Sequence, residues 1–441
     1  MAATEKQLFN GGATSVLYTD RRNFYIDPQS VSELWTDVAP FTTMISSMGS
    51  RSTNDPVFKM FEHRNPWIKQ TWTNNSDTNS LTPDASTITE VTIDGVSGLT
   101  MDSSAIGLEC EVWDAAEAVK QAVCVIVAVD NATTIDVKTL WTRTGSALAM
   151  VNNDVWHVVG SAHGEGTDAP DAWSDELQIV WNSCQIFKTP LQITGTLLQA
   201  ALRGESSELE RLRLQKNQEH KIQKERAFLF GSRYGGTNLG DNLSGSTDDT
   251  FSDSGASDTD GNLIRTTYGI VKAIEDFGTS SGDSQNNFTV DSSYAYGNFV
   301  DDMEKVFQYV PTSGVKRAFC GAGALGYWSK MSAASNMAGN SGWTVNLGDM
   351  KRDALGFNYR VLETPHGMLQ LIPTPALRGP YNKYMLCVDD SNLFHAQYRA
   401  PMYQTNIKTD NAFDAVKDQY FSDEGVGISL IESHSLFKIT A

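Results

Sequence analysis

The pattern of apolar and polar positions changes several times along the chain, and its most distinctive stretch is charged. Residues 207–231 read SELERLRLQKNQEHKIQKERAFLFG. Ser207 can cap a helix with Glu210 three residues on, and Gly231 is a natural stop. The pattern therefore predicts one helix from Glu208 to Phe230, roughly 35 Å long.

Apolar side chains are confined to the two ends of this predicted helix. They are Leu209, Leu212 and Leu214 near its start, and Ile222, Ala227, Phe228, Leu229 and Phe230 towards its end. Residues 215–221 carry no apolar side chain, while charged pairs such as Glu208 and Arg211 can support the helix locally. A helix with so polar a middle is not expected in the core of a compact enzyme. It should lie on a surface, bridge domains or face other subunits.

Between residues 87 and 166 the pattern changes to short runs typical of strands. The runs are EVTIDGV, GLECEVWD, AVCVIVAVD, TTIDVKTLW and VWHVVGSA. In the second run, Leu108, Cys110 and Val112 alternate with Glu109 and Glu111, as in a half-buried strand. Regular short strands separated by turns predict a small β-barrel or sandwich.

From residue 264 onward, predicted helices and strands alternate. The helices are TTYGIVKAIEDFG, SSYAYGNFVDDMEKVFQYV and GALGYWSKMSAAS, and the strands are VKRAFC, FNYRVLE, GMLQLIP and KYMLCVDD. In the ending VGISLIESHSLFKITA, apolar alternation predicts one long final strand. The first 50 residues read as an arm with helical spacing only at Ser30–Val38. Together these patterns predict the α+β class.

Composition limits the classes of function. A chain of 441 residues can hold two or three domains with real cores. Its net charge of −19 argues against a nucleic-acid-binding protein, since phosphate contacts need clustered lysine and arginine. The charge is compatible with an acidic wall against which DNA lies without sticking.

Cysteines and apolar segments bear on the compartment. The five cysteines are scattered, with no CxxC motif, so we predict buried, reduced thiols rather than a zinc site or a disulfide framework. The start MAATEKQLFNGG lacks the apolar core of a signal peptide, and no window approaches about 18 apolar residues. We therefore expect no membrane span and folding in a cytoplasm.

One cofactor motif matches by its letters. GAGALG at residues 321–326 has the GxGxxG form, follows a predicted strand and precedes a predicted helix, and Asp349 lies further on. The match nevertheless sits deep in the chain, after a long region unlike a dinucleotide-binding fold. Close packing of a helix on a strand at a tight turn explains the glycines equally, and we expect no cofactor.

Other candidate chemistry is weak. Residues 234–263 form an acidic Gly/Ser/Asp/Thr stretch without lysine or arginine, but the ligand spacing of a calcium-binding EF-hand is missing. We expect a solvated loop there. His157 and His163 could share a metal, yet nothing supplies a third ligand. No pair of carboxylates stands out as an acid and base, so we predict no catalytic and no metal-binding residue.

Several segments carry a family resemblance. They are SVSELWTDVAPFTTMISSMG, GSAHGEG, NSCQIFKTPLQITGTL with the charged helix after it, and FSDEGVGISLIESHSLFKI. In this order they resemble the major capsid proteins of tailed bacteriophages, in the branch whose extended loop carries an inserted β domain. The resemblance covers most of the chain, although residues 234–263 and much of 290–350 are generic.

The resemblance implies the phage capsid (Johnson) fold, also called the Hong Kong ninety-seven phage capsid fold. Residues 1–50 would be the N-terminal arm, and residues 51–186 the extended loop with its small inserted β-barrel or sandwich at about 87–166. The peripheral domain would comprise residues 187–263 and 396–441, with the charged helix as its spine. The axial domain would be residues 264–395.

The resemblance also implies a function and partners. We expect a virion structural protein that forms homo-hexamers and homo-pentamers of an icosahedral head shell. The shell would enclose double-stranded DNA without sequence-specific binding, after assembly in the bacterial host cytoplasm. No cleavable scaffold domain is recognisable, so a separate scaffolding protein is expected. A portal, and a decoration or cement protein where the shell has one, would be further partners.

Contacts between subunits are expected from two groups of residues. The anchors on the arm and loop are Trp35, Phe41, Trp67 and Trp72, and the polar partners on the spine are Arg211, Arg213 and Lys216. Each of them could equally serve its own subunit. Two other hypotheses remain open at this point: an NAD(P)-binding enzyme that uses the GAGALG turn, and a tail or baseplate component.

Overall fold

A computed structural model gives the structure of most of the chain. It describes residues 39–63, 71–75, 80–84, 86–94, 101–169, 171, 177–200, 207–233, 256–257, 259–280, 285–309, 314–337, 347–352, 358–407 and 414–440. The helix predicted at Ser30–Val38 and most of the acidic stretch lie outside these ranges. The chain divides into two compact units. One comprises Met1–Met60 with Ile179–Ala441, and the other is Phe61–Gln178.

Six α-helices are formed by the described residues. They are α1 (Pro40–Ser47), α2 (Gly195–Gln199), α3 (Glu208–Phe230), α4 (Ile270–Phe277), α5 (Tyr296–Val306) and α6 (Ala322–Met337). Short 3-10 turns lie at Ser103–Ala105, Gly379–Tyr381, Asp390–Asn392 and Ile431–Ser433.

The strands outnumber the helices. The first twelve are β1 (Ser50–Ser52), β2 (Val57–Glu62), β3 (Thr71–Thr73), β4 (Ser80–Leu81), β5 (Thr89–Thr92), β6 (Leu108–Trp113), β7 (Lys120–Asn131), β8 (Thr134–Thr142), β9 (Leu148–Ala149), β10 (Val155–Ser161), β11 (Gln178–Ser183) and β12 (Gln185–Thr194). The others are β13 (Ala256–Ser257), β14 (Leu263–Ile264), β15 (Asn287–Val290), β16 (Val315–Cys320), β17 (Leu347–Arg352), β18 (Asn358–Glu363), β19 (Met368–Pro373), β20 (Tyr384–Val388), β21 (Leu393–Gln404), β22 (Ala415–Ile428) and β23 (Ser435–Ile439). This mixture of helices and sheets confirms the α+β class.

The long charged helix is present with the predicted ends. The hydroxyl of Ser207 accepts a hydrogen bond from the backbone N–H of Glu210 at 3.4 Å, which begins α3. The backbone N–H of Gly231 donates to the carbonyl of Ala227 at 2.8 Å, which ends it. The local capping signals therefore set the length of α3.

A four-stranded sheet in the larger unit has the order β1-β21-β22-β12. Helix α3 lies on the side of β12 that carries Phe187, Thr189, Leu191 and Ile193, whose side chains are buried. Near the end of the helix, the ring of Phe228 meets Phe187 edge-on at 6.1 Å. The apolar end of α3 thus packs into the core, while its polar middle lies along the rest of the sheet.

Helix α1 is held on α3 by one buried carboxylate. The residue before α1, Ala39, has no side chain that could cap it. Glu225 takes that place, because it accepts hydrogen bonds from the backbone N–H groups of Phe41 at 3.1 Å and Thr42 at 2.6 Å, and from the Thr42 hydroxyl at 2.7 Å. A negative charge at a helix N-terminus is favourable. Burial raises the pKa of Glu225, and the hydrogen bonds from Thr42 and Phe41 oppose this rise.

A seven-stranded sheet forms the second layer of this unit, in the order β15-β23-β20-β16-β19-β18-β17. It is mixed, since β16 runs parallel to β19 but antiparallel to β20. Trp328 of α6 is fully buried on it and contacts Phe299 of α5 and Phe437 of β23. The large aromatic rings therefore fix these two helices on one face of the sheet.

The prediction of one long final strand was wrong. The chain forms β22 and β23, separated by a turn in which Leu430 has a left-handed φ of 46°. β22 belongs to the four-stranded sheet, whereas β23 pairs with β15 and β20 in the seven-stranded sheet. The alternation in fact stops at the turn, where the adjacent Leu430 and Ile431 are followed by the polar run Glu432 to Ser435. The end of the chain thus leaves the sheet of the expected peripheral domain.

A buried polar cluster secures this turn. Lys316 is almost fully buried, and its ammonium group donates to the carbonyls of Val306 at 2.6 Å and Ser433 at 2.8 Å. His434 accepts a hydrogen bond from the backbone N–H of Asp389 at 3.2 Å through Nδ1. Burial, with the nearby charge of Lys316, lowers the pKa of His434 from 6.5 to about 4.

The smaller unit is built on a six-stranded antiparallel sheet, in the order β3-β10-β6-β7-β8-β5. The five predicted strands are all present as β5, β6, β7, β8 and β10. Its edge strand β3 lies before residue 87, so the unit begins earlier than the expected insertion. Trp156, fully buried, stacks on Trp72 at a centroid distance of 6.3 Å in the core.

The GAGALG turn lies between β16 and α6, where the chain passes close to Asn382. A side chain on Gly321 would place its Cβ 2.2 Å from the carbonyl oxygen of Asn382. The backbone N–H of Gly323 donates to this same oxygen at 3.0 Å. By contrast, a Cβ on Gly326 would meet no heavy atom within 4 Å. The glycine at the strand end is therefore explained by close packing of backbone on backbone.

We predict opposite effects of alanine at two glycines of this turn. Gly321→Ala should destabilise the protein by about 1–3 kcal/mol, because its Cβ forces the Asn382 backbone to move. Gly326→Ala should stabilise it by about 0.5–1 kcal/mol, because alanine favours the helix and the space is open. Urea unfolding of the unassembled subunit measures both. Equal effects of the two changes would contradict the packing explanation.

We predict that Glu225→Gln destabilises the subunit by about 1–3 kcal/mol, because the amide cannot accept all three hydrogen bonds from α1. Glu219→Gln is the matched control on the same helix, since Glu219 is half exposed and contacts Lys216. The control should change the free energy of unfolding by no more than about 0.5 kcal/mol. If Glu225→Gln also changed the free energy of unfolding by no more than about 0.5 kcal/mol, the carboxylate would not be what holds α1.

We predict that the subunit loses stability as the pH falls from about 6.5 to about 4, partly through His434. In this range the unfolded chain takes up a proton on His434 that the folded protein excludes, so protonation favours unfolding. Melting temperatures measured across this range should fall less steeply in His434→Gln than in the wild type. Parallel curves for the two proteins would rule out this contribution.

Candidate subunit-contact surface

The inner side of α3 is polar and meets polar side chains of β22. Near the start of the helix, the guanidinium of Arg213 contacts the buried carboxylate of Asp418 at 2.8 Å. Asp418 also accepts hydrogen bonds from the Tyr403 hydroxyl and from the backbone N–H of Asn406. Burial by itself raises the pKa of Asp418, but these hydrogen bonds bring it below its ordinary value. The carboxylate is therefore charged, and both of its oxygens accept hydrogen bonds.

At the middle of α3, His220 bridges two strands of the sheet. Its Nδ1 lies 3.0 Å from the Thr189 hydroxyl on β12, and its Nε2 lies 3.1 Å from the Ser422 hydroxyl on β22. Burial, together with the charge of Lys224, lowers the pKa of His220 to about 4. The imidazole is neutral at pH 7, and each of its nitrogens has a hydroxyl partner.

One turn further on, Lys224 contacts the carboxylate of Glu424 at 3.1 Å. The imidazole of His395 on β21 lies 3.5 Å from the same carboxylate. Burial raises the pKa of Glu424, but His395 and Lys224 outweigh it and lower the pKa below the ordinary value. We call these contacts the polar seam. In it, Arg213, His220 and Lys224 join the helix to three strands, β12, β21 and β22.

Exposed residues of α3 lie on more than one face, since Gln223 and Arg226 are exposed and point away from Leu214. Glu210, Leu214 and Lys221 are exposed and lie four and seven positions apart, which puts them on one face of the helix. We call these three residues the outer stripe. Leu214 is 66% exposed and is the apolar member of this stripe. A large apolar side chain between two charges suits a surface that another protein covers.

The structure scatters the seven residues predicted to contact other subunits. Trp35 and Trp67 lie outside the described residues. Phe41 is fully buried in the larger unit, edge-on to Phe319 at 5.2 Å, and Trp72 is buried in the smaller one. Their roles in contacts between subunits stay predictions.

The three basic residues predicted as contacts, Arg211, Arg213 and Lys216, lie on the same helix but do not form one site. Arg213 faces the polar seam. Arg211 is paired with Glu208 in the previous turn, and Lys216 contacts Glu219 at 2.7 Å. Both pairs are half exposed, so Arg211 and Lys216 remain within reach of another subunit.

Sequence reasoning missed the polar seam. It placed the polar middle of α3 on a surface, between domains or against other subunits, whereas His220 is buried within its own subunit. A signal existed, because the alternate residues Asp418, Tyr420, Ser422 and Glu424 put polar groups on one face of β22. A polar strand face beside a polar helix predicts that the two pack together.

The other sequence candidates do not form a site. His157 lies beside the hydroxyl of Thr71 at 3.2 Å and near Glu117 at 3.8 Å. The backbone N–H groups of Gly323 and Ala324 in the GAGALG turn donate hydrogen bonds to the carbonyl of Asn382. The side chain of Asp349 is not among those that the structure describes. In the part of the chain that the structure covers, His, Cys, Asp and Glu side chains nowhere form a group of three that could hold a metal ion. Within the same residues, none of the helices is both long and apolar enough for a membrane span.

The smaller unit exposes apolar side chains of its own. Trp141 on β8 is 46% exposed and pairs with Val123 on β7. The ammonium nitrogen of Lys120 lies 5.9 Å from the centre of the Trp141 ring. Leu140 and Val159 are also exposed. These residues are a second candidate surface for contacts.

Several solved structures match the chain, all at low identity. The capsid of a native GTA particle is 9% identical, with a TM-score of 0.44, and the match covers 98% of this chain and 100% of that one. A structure of Microbacterium phage Oxtober96 is also 9% identical, with a TM-score of 0.43, covering 97% and 100%. An encapsulin complex from Synechococcus elongatus is 7% identical, with a TM-score of 0.36, covering 61% and 77%.

Sequence comparison identifies the family. No curated protein matches the chain. The family model described as the SU10 major capsid protein matches residues 29–427, which is most of the chain and includes α3, the polar seam and the smaller unit. The chain therefore belongs to the SU10 major capsid protein family: it is a structural protein of a bacteriophage head shell and not an enzyme.

Proposed function

We propose that the subunits assemble as homo-hexamers and homo-pentamers into an icosahedral head shell that encloses double-stranded DNA. The family match over residues 29–427 is the observation that carries this proposal. Rings of one chain around five-fold and six-fold centres are the closed arrangement through which identical subunits build a shell.

The net charge of the chain is consistent with DNA as the enclosed cargo. A net charge of −19 on each subunit repels phosphate groups, so packed DNA can lie against the wall without sequence-specific binding. A wall that does not bind DNA also leaves it free to move out.

Helix α3 is the proposed place of contact with neighbouring subunits. The outer stripe offers Leu214 between Glu210 and Lys221, with the partly exposed Arg211 beside it, while Lys216 offers a charge on another face of the helix. Arms and extended loops of adjacent subunits, with Trp35 and Trp67, would lie across this face. Each contact is modest, but many of them in one shell act together.

The remaining roles follow from the family picture. Scaffolding would come from a separate protein, with assembly in the cytoplasm of the bacterial host, and a portal would occupy one vertex. The smaller unit, Phe61–Gln178, would face outward and reinforce contacts or hold a decoration protein. The larger unit would hold the arm, the peripheral domain and the axial domain.

Electron microscopy of the protein purified with its scaffold tests the proposal. Shells, or rings of five and six subunits, are the expected result. Monomers that persist under these conditions and bind a nicotinamide cofactor would overturn it in favour of the enzyme hypothesis. Tubes with a tail-like repeat would instead support a tail component.

We predict that Leu214→Asp reduces the yield of shells at least tenfold, roughly the effect of a contact worth 1.4 kcal/mol. The aspartate puts a third charge into the outer stripe and removes its apolar group. Since Leu214 is largely exposed, the free energy of unfolding of the subunit should change by no more than about 0.5 kcal/mol. Sedimentation of the assembly mixture measures the yield.

Leu214→Met is the matched control, because it keeps an apolar side chain of similar volume, and it should assemble as the wild type does. A normal shell yield for Leu214→Asp would exclude the outer stripe as a contact. The proposed shell itself would then stand, with its contacts elsewhere.

A further inference from the structure

Two cysteines of the smaller unit lie directly opposite each other in its sheet. Cys110 on β6 and Cys124 on β7 are partners in the antiparallel register. Both side chains point to the same face, because both are 0% exposed in one apolar core with Val112, Ala122 and Ile126. They are therefore neighbours on the buried side of the central pair of strands.

This register meets the geometric requirement for a disulfide. Directly opposite residues of antiparallel strands have Cα atoms about 4.5–5.5 Å apart. Disulfides join cysteines whose Cα atoms lie about 4.4–6.8 Å apart. The two side chains can therefore be linked with little movement of the strands.

We propose that Cys110 and Cys124 form a cross-strand disulfide when the assembled protein reaches oxidising surroundings. The chain is made inside a cell, where thiols are kept reduced, and a virion later leaves that cell. Disulfides persist on virions and other extracellular proteins but are rare in the cytosol. The pair is then a staple that closes after release.

The reaction balances with a small-molecule disulfide, such as oxidised glutathione, as the oxidant. The thiolate of one cysteine attacks this disulfide, forms a mixed disulfide and releases one glutathione thiolate. The second cysteine then attacks the protein-bound sulfur and releases the other. Two protein thiols lose two electrons and two protons in total, and one glutathione disulfide becomes two thiols.

Burial makes this reaction slow rather than impossible. Burial raises the pKa of Cys124 to about 12 and that of Cys110 further, so few thiolates exist in the closed sheet. Attack then depends on brief local opening of the strands. We expect the link to form over hours, and to form faster in mild denaturant that still leaves the unit folded.

The chain contains a second pair of buried cysteines that serves as an internal control. Cys320 on β16 is opposite Met385 on β20, and Cys387 is opposite Ala318. Cys320 and Cys387 are therefore diagonal neighbours, about 7–8 Å apart, which is too far for a disulfide without backbone movement. Both are also fully buried, so burial alone does not distinguish the two pairs.

Peptide mapping of the full-length protein tests the proposal. The folded protein is incubated with oxidised glutathione, alkylated under denaturing conditions and digested with trypsin. Lys120 separates the two cysteines, so a disulfide joins the peptide ending at Lys120 to the peptide ending at Lys138. The expected species is about 2 Da lighter than the sum of its two reduced peptides, and dithiothreitol removes it.

The outcomes are distinct for the two pairs. The linked Cys110–Cys124 species should accumulate while a Cys320–Cys387 species stays at the level of the untreated protein. Cys124→Ala should lose the first species, and Cys184 should stay alkylated throughout. The proposal is overturned if Cys110 and Cys124 remain alkylated after a prolonged incubation of many hours in mild denaturant that leaves the unit folded. It is also overturned if both pairs link at the same rate, since register would then not matter.

Discussion

Burial of the polar side of α3 is the constraint on which the larger unit depends. A charged group loses its hydrating water when a helix packs on a sheet. This desolvation cost is offset only when hydrogen-bonding or oppositely charged partners lie opposite the group on the sheet. Arg213, His220 and Lys224 find such partners in Asp418, Ser422 and Glu424, each on the same face of β22. The register of helix on sheet is thereby specified by matched groups, because a shift of one turn would leave several of them unpaired.

The same helix also fixes the position of α1. Glu225 faces α1 and accepts its first N–H groups, while the apolar end of α3 packs Phe228 into the core. One helix therefore combines three kinds of contact along its length: a polar seam, a capping carboxylate and an apolar end. Its very weak amphipathic character is a result of this combination, and not a sign that it lacks tertiary contacts.

Much of the fold follows from local signals in the sequence. The ends of α3 rest on Ser207 and Gly231, and the five strands of the smaller unit rest on alternation between turns. What could not be predicted depends on pairing over long distances. The sequence does not show that β22 and β23 join different sheets on either side of Leu430, and the partners of His220 lie on strands far away in the chain. The contact residues themselves stay predictions, but the sequence did not separate exposed from buried side chains, since Arg213 faces inward and Phe41 is buried.

The turn between β22 and β23 has a mechanical consequence. β22 carries the sheet side of the polar seam, and β23 is the second strand of the seven-stranded sheet, between the edge strand β15 and β20. Lys316 fastens the turn to the end of α5 through the carbonyls of Ser433 and Val306. Tension applied to α3 by a neighbouring subunit would pass along β22, through this fastened corner, into the second sheet. The two layers would then share the load as one continuous element when pressure inside the head rises.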